Sequence, residues 1–262
     1  MRLREHTLYV RLTTREDLLD SGRHAGLVRD VEAFTGAGFE SFTDLVAPRA
    51  RAVALAGARA ELIDAHTGAG FHQSARWRLD APNGQRCEFG AGLHPYSGVY
   101  VTNVDVRIPN TLVEGRHDAL AELLREWVRG TAPLSLHAHD ADDNAIQNCE
   151  SETMLRLGYG VEEALGPVAE RPGREFNRGQ FRYVANWVTF MGEEAVTLLE
   201  EAELCEWGES TEIFEGGRWA RLSDEPTAFD TIRSGQRALV EQAGFDKLVA
   251  RDRRVWGYWQ RK

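Results

Sequence analysis

Near the middle of the chain, Leu136-His137-Ala138-His139-Asp140-Ala141-Asp142-Asp143 puts two imidazoles and three carboxylates within eight residues. If the stretch ends a strand, His137 and His139 at i, i+2 point to the same face, and a nearby carboxylate would complete a site for a metal ion. That arrangement is the chemistry of a metal-dependent hydrolase. The same residues also fit a strand running into a solvated acidic loop. On that reading Asp140, Asp142 and Asp143, with Glu150 and Glu152 beyond them, form a carboxylate surface for a basic protein partner.

The register favours the second reading. The His-x-His-x-Asp-His motif of metallo-β-lactamase-type hydrolases is similar only in its opening. Ala141 stands where the aspartate belongs and Asp142 where the last histidine belongs, and no histidine follows His139. Other catalytic signatures are missing: there is no Gly-x-x-x-x-Gly-Lys, no Gly-x-Ser-x-Gly elbow and no His-Glu-x-x-His. Arg156-Leu157-Gly158-Tyr159-Gly160 approaches the pyrophosphate loop of acetyltransferases, but the arginine is one residue too close to the glycines. A helix stopped by glycine accounts for it. Cys87, Cys149 and Cys205 are odd in number and far apart, which argues against a disulfide framework or a structural zinc and fits a reducing cytoplasm. No cofactor is expected.

Charge separates the chain into three parts. Residues 1–135 carry net −1, residues 136–250 net −13 and residues 251–262 net +4, within a formal net charge of −10. A field of this sign repels phosphate backbones and anionic lipid and attracts basic surfaces. The aromatic end, Trp256-Gly257-Tyr258-Trp259 among arginines, is better explained as a strand than as a base-stacking platform. Residues Met1 to His6 lack the apolar run of a signal peptide, and no stretch approaches the ~20 apolar residues of a membrane span. A cytoplasmic protein is expected.

The elements that must carry these residues read as α+β. Strands are expected at Leu8–Leu12, Trp77–Leu79, Arg86–Phe89, Tyr100–Ile108 and Pro133–His139. Pro82-Asn83-Gly84 turns the second of these into the third. Leu27, Val31 and Phe34 mark a helix that Gly36 and Gly38 stop, the Ala-rich run to His66 marks another, and Leu120, Leu124, Trp127 and Val128 mark a third. A Gly/Pro-containing passage over residues 158–180 is the expected boundary between an N-terminal half, 1–157, and a C-terminal half, 181–262. The second half reads β-α-β-β-α-β: Phe181–Met191, a helix from Glu193, a hairpin about Gly216-Gly217, a helix through Ile232 and Leu239, and Val255–Trp259. That order is ferredoxin-like, and the first half fits it with one extra helix and strand, so two ferredoxin-like halves are expected.

Two segments of the second half carry a resemblance. Tyr183-Val184-Ala185-Asn186-Trp187-Val188-Thr189-Phe190, followed by Gly192 and a helix, is one; Glu215-Gly216-Gly217-Arg218-Trp219-Ala220-Arg221-Leu222-Ser223-Asp224-Glu225-Pro226 is the other. Over about residues 181–230 they resemble the closing third of immunity proteins that accompany bacterial polymorphic and type VI-secreted toxins. The resemblance implies a non-enzymatic cytoplasmic antitoxin that binds and blocks one cognate toxin. It transfers no functional residues. An acidic second half suits such a role, because many of these toxins are nucleases with basic grooves.

Overall fold

The computed structural model describes residues 7–18, 21–39, 41–44, 51–52, 74–80, 86–96, 99–140, 143, 185–226, 229–245 and 247. Its contacts divide the chain into two units, Met1–Pro133 and Leu134–Lys262. Both contain sheet and helix, so the α+β class expected from the sequence holds.

In the first unit the elements are β1 (Thr7–Thr14), α1 (Ser21–Thr35), β2 (Ser41–Asp44), β3 (Arg51–Ala52), β4 (Ser74–Asp80), β5 (Arg86–Tyr96), β6 (Val99–Pro109), a 3-10 turn at Asn110–Leu112, and α2 (His117–Thr131). The strands lie in the order β3-β2-β4-β5-β6-β1, each neighbouring pair antiparallel. This is a meander closed by β1, not the strand order of a ferredoxin-like half. Alternation sets the faces: Leu8, Val10 and Leu12 stand opposite Ile108, Val106 and Val104, and Phe89 and Ala91 continue the same buried layer on β5.

The two helices close that core. Leu27, Val28 and Val31 of α1 are buried, as are Leu120, Leu124, Trp127 and Val128 of α2. The indole N–H of Trp127 donates to Asp30 at 3.1 Å, and the Arg116 guanidinium lies 4.3 Å from the Phe34 ring centre. Each large aliphatic side chain so buried contributes about 1.5–3 kcal/mol. Helix α1 ends at Gly36, whose φ of 73° and N–H bond to the Glu32 carbonyl make a left-handed stop. Of the Ala-rich run to His66, expected to be helical, Arg51 and Ala52 instead form β3 against β2, and residues 53–66 lie outside the described residues.

The second unit contains β7 (Ser135–Asp140), β8 (Val188–Met191), α3 (Glu193–Glu201), β9 (Glu212–Phe214), β10 (Gly217–Arg221) and α4 (Phe229–Gln242). The strand order is β7-β8-β10-β9, again antiparallel throughout. Strands β8 and β9 are therefore parallel to each other with β10 inserted between them, the split β-α-β arrangement that the sequence order implies. Beside β8, where a ferredoxin-like unit would place its last strand, lies β7. The expected strand Val255–Trp259 and the passage 158–180 are outside the described residues.

The hairpin fixes the register of this sheet. Glu215 and Gly216 have φ of 46° and 75° and link β9 to β10 as a two-residue turn. Gly217 follows, where an added Cβ would stand 2.2 Å from the Met191 carbonyl oxygen and 2.7 Å from the Phe190 ring. Phe190 meets Phe214 edge-on at 6.4 Å, and Phe214 meets Trp219 at 5.7 Å. Only glycine allows β10 to lie this close to β8. A Gly217→Ala variant is expected to be less stable by about 1–3 kcal/mol, the usual cost of overpacking, seen as a lower urea midpoint with an unchanged slope.

Candidate functional site

Strand β7 carries the His-x-His-Asp segment, and all six of its residues are buried. His137 lies opposite Thr189 of β8. The Asn186 side-chain amide donates to His137 Nδ1 at 3.1 Å. Asn186 is held in turn by its own N–H, which donates to Thr189 Oγ1 at 2.9 Å. His139 Nδ1–H donates to the Asp140 carbonyl oxygen at 3.1 Å. The Gln236 amide of α4 donates to the Asp143 carboxylate at 2.7 Å, with both residues out of solvent.

These positions correct the expected contact loop. Asp140 is 7% exposed and Asp143 1%, so neither presents the solvated carboxylate surface read from the sequence. The Gln236 bond holds Asp143 inward, and Asp140 closes the fully buried strand β7. Asp142, Glu150 and Glu152 lie outside the described residues. The imidazole pair is equally interior, at 0% for His137 and 1% for His139. Among the described residues no group of three or more His, Cys, Asp or Glu side chains is placed to hold a metal ion.

A dense run of solvent-exposed acid lies between Glu193 and Glu215. That stretch holds Glu193, Glu194, Glu200, Glu201, Glu203, Glu206, Glu209, Glu212 and Glu215 and no Lys, Arg or His. All nine are exposed. Helix α3 explains the first of them: Ala195, Val196 and Leu199 face the sheet, which turns positions 193, 194, 197, 198, 200 and 201 outward. Cations at its margin are few. Arg218 reaches Glu200 at 3.9 Å while stacked 5.1 Å from the Trp207 ring, whose N–H also donates to Glu200, and Lys247 reaches Glu206 at 4.0 Å. Two large apolar side chains are exposed in the same stretch, Leu198 at 41% and Ile213 at 75%.

The two segments that carry the family resemblance meet in the sheet as β8 and β10. Trp187, fully buried, donates its indole N–H to the Ser223 carbonyl at 2.9 Å, and its own carbonyl accepts from Leu222 N–H at 2.9 Å. Arg221 lies 5.7 Å from the Trp187 ring centre and also donates to the Ser223 carbonyl at 3.1 Å. These residues thus build a corner of the fold.

One polar constellation escaped the sequence reading. On the outer face of the first unit's sheet, the Tyr9 hydroxyl donates to Asp105 Oδ1 at 2.7 Å, and Arg11 donates to both Asp105 oxygens at 2.5 and 3.0 Å. Burial and the Asp105 carboxylate push the Tyr9 phenol above its ordinary value. For Arg11, burial opposes the charge, and the Asp105 carboxylate overrides it and raises the guanidinium. Arg107 joins from the next pair, 5.5 Å from the Tyr9 ring and 3.7 Å from Glu88. The signal was present as Tyr9/Arg11 on one strand and Asp105/Arg107 on another, but register alone brings them together. The cluster ties β1 to β6.

Compared with known proteins, the chain matches no family model and no curated protein. Its fold is similar to that of the Pseudomonas aeruginosa T6SS protein PA0821, with a TM-score of 0.54 and 12% identity over 90% of this chain and 73% of that one. No helix among the described residues is long and apolar enough to cross a membrane.

Two expectations follow from the buried groups. Replacing Asn186 by Leu removes the donor to His137 and should destabilise the protein by about 1–3 kcal/mol in chemical denaturation. Burial, then Glu88, pushes the Cys87 thiol up to about 12. With so little thiolate at pH 8, Cys87 should resist alkylation until the protein is unfolded, whereas the half-exposed Cys205 reacts in the native state. Peptide mapping after a timed reaction with iodoacetamide separates the two.

Proposed function

We propose that this chain is an immunity protein of a type VI-secreted or related polymorphic toxin, acting in the cytoplasm by binding and neutralising a cognate toxin with a basic surface. It needs no cofactor and performs no catalysis in this role. The observation that carries the reading is the exposed glutamate stretch, nine carboxylates and no cation between Glu193 and Glu215. The resemblance over residues 181–230 supports it, as does a fold similar to that of a T6SS protein.

The mechanism is one of encounter and anchoring. A one-signed surface accelerates association with a basic partner, and the effect falls as salt screens charges over roughly 8 Å at physiological ionic strength. Rim charges mainly set the on-rate, while affinity comes from a few desolvated anchors. The buried Asp140 and Asp143 suit neither task. They support the sheet, and the exposed glutamates take over the steering role.

The test uses the C-terminal domain of the secreted toxin that this reading expects to be encoded beside this chain's gene. Cells expressing that domain should survive when this chain is co-expressed. Reversing Glu201, Glu203 and Glu209 to Lys should slow association by roughly tenfold or more at low salt, with the gap closing at high salt. Full protection by the reversed protein, with an unchanged on-rate, would show that the glutamate surface is not the steering element. Failure of the unaltered chain to protect would remove the immunity reading altogether.

A further inference from the structure

Strand β9 is the last strand of the second unit's sheet among the described residues, bonded to β10 on one side only. Its pairing is Phe214 with Gly217, Ile213 with Arg218 and Glu212 with Trp219. Across a two-residue hairpin turn, the residues flanking the turn exchange both backbone hydrogen bonds, and alternate pairs do not. Phe214 and Glu212 therefore point their N–H and C=O groups at β10. Ile213 points its own to the open edge.

An open edge is a template for another strand, and proteins commonly protect such edges with charge and brevity. Strand β9 has both protections, being three residues long with Glu209, Glu212 and Glu215 beside it. Yet the residue whose backbone faces outward also carries the most exposed large apolar side chain of the described residues, at 75%. Protection alone would place a polar side chain there. The glutamates act selectively. A second copy of this chain would bring the same carboxylates against them, and like charges facing each other across strands are destabilising. A strand bearing Lys or Arg at alternate positions would instead be drawn in.

We infer that the β9 edge docks an extended, basic segment of the partner protein by strand addition, with the Ile213 backbone making the main-chain bonds and its side chain the apolar anchor. Main-chain bonds supply affinity in this mode, and alternate side chains supply selectivity. The inference rests on the proposed binding of a basic partner and assigns where on the acidic surface that partner sits.

A fluorescent peptide of alternating Lys and Val, with a Glu-Val peptide as control, reports the edge without any toxin. The full chain is expected to bind the Lys-Val peptide at low salt and to ignore the Glu-Val peptide. Ile213→Pro removes the outward N–H while leaving the β10 ladder intact. It should weaken binding by about tenfold or more, equivalent to one or two hydrogen bonds. Ile213→Val should bind as the unaltered chain does, and all three proteins should share one unfolding midpoint. Equal binding by Ile213→Pro at an unchanged midpoint, or no binding by the unaltered chain at millimolar peptide, overturns the inference. The co-expression assay keeps the two readings apart. If Ile213→Pro assembles with the toxin domain and protects as well as the unaltered chain, the edge assignment fails and the immunity reading stands. If the unaltered chain fails to protect but Ile213→Pro loses the peptide, the immunity reading fails and the edge assignment stands.

Discussion

A strand that is buried along its whole length constrains the elements around every polar group it carries, and β7 carries four polar residues, Ser135, His137, His139 and Asp140, in a length of six. Leaving such groups without hydrogen bonds would cost on the order of 1–3 kcal/mol each. The requirement reaches into neighbouring elements. Asn186 is positioned to serve His137, Thr189 to hold Asn186, and β8 is aligned so that Thr189 stands opposite His137. From β8 the register passes to β10 through the close approach at Gly217, and from β10 to β9 through the two-residue turn. The register that starts at His137 opposite Thr189 thus runs through β10 to Ile213 at the open edge.

The same constraint separates two kinds of acid. Asp140 and Asp143 lie inside, where Asp143 has a Gln236 amide donor. Glutamates 193 to 215 lie outside on a short helix, an irregular connection and an edge strand. Interior carboxylates are bound to the fold by their partners, so changing them changes stability first. Exterior ones are screened and cheap to vary. A surface whose task is to match one partner among many belongs on the exterior set, and the Glu-rich stretch has that freedom.

Most of the element order was legible in the chain. Leu8, Val10 and Leu12 alternate as a half-buried strand must, and Leu120, Leu124, Trp127 and Val128 repeat as a helix facing a core must. Gly216-Gly217 announced the hairpin, and Ala195, Val196 and Leu199 announced the buried face of α3. What was illegible depends on distant neighbours. Nothing local distinguishes an Asp at the end of an exposed strand from one beneath a helix; the Gln236 bond settles that for Asp143, and the burial of the whole of β7 settles it for Asp140. The Tyr9–Arg11–Asp105 cluster was hidden for the same reason, since it requires Arg11 to stand opposite Asp105 across ninety-four residues of sequence.

The resemblance and the structure bear on different parts of the protein. Residues of the two resembling segments, Trp187, Gly217, Trp219, Arg221 and Ser223, sit in the corner where β8 meets β10, tied there by the bonds of Trp187 and Arg221 to the Ser223 carbonyl. A scaffold can be retained in this way while its surface diverges, because packing within the corner constrains residue type far more than an exposed glutamate does. Recognition would then be written in the adjoining exposed elements, α3, the connection after it and β9, which the scaffold holds rigidly at one end of the sheet. A small buried corner constrains residue type strongly while the exposed elements beside it do not, so the fold of such a unit can persist as the sequence around the corner changes.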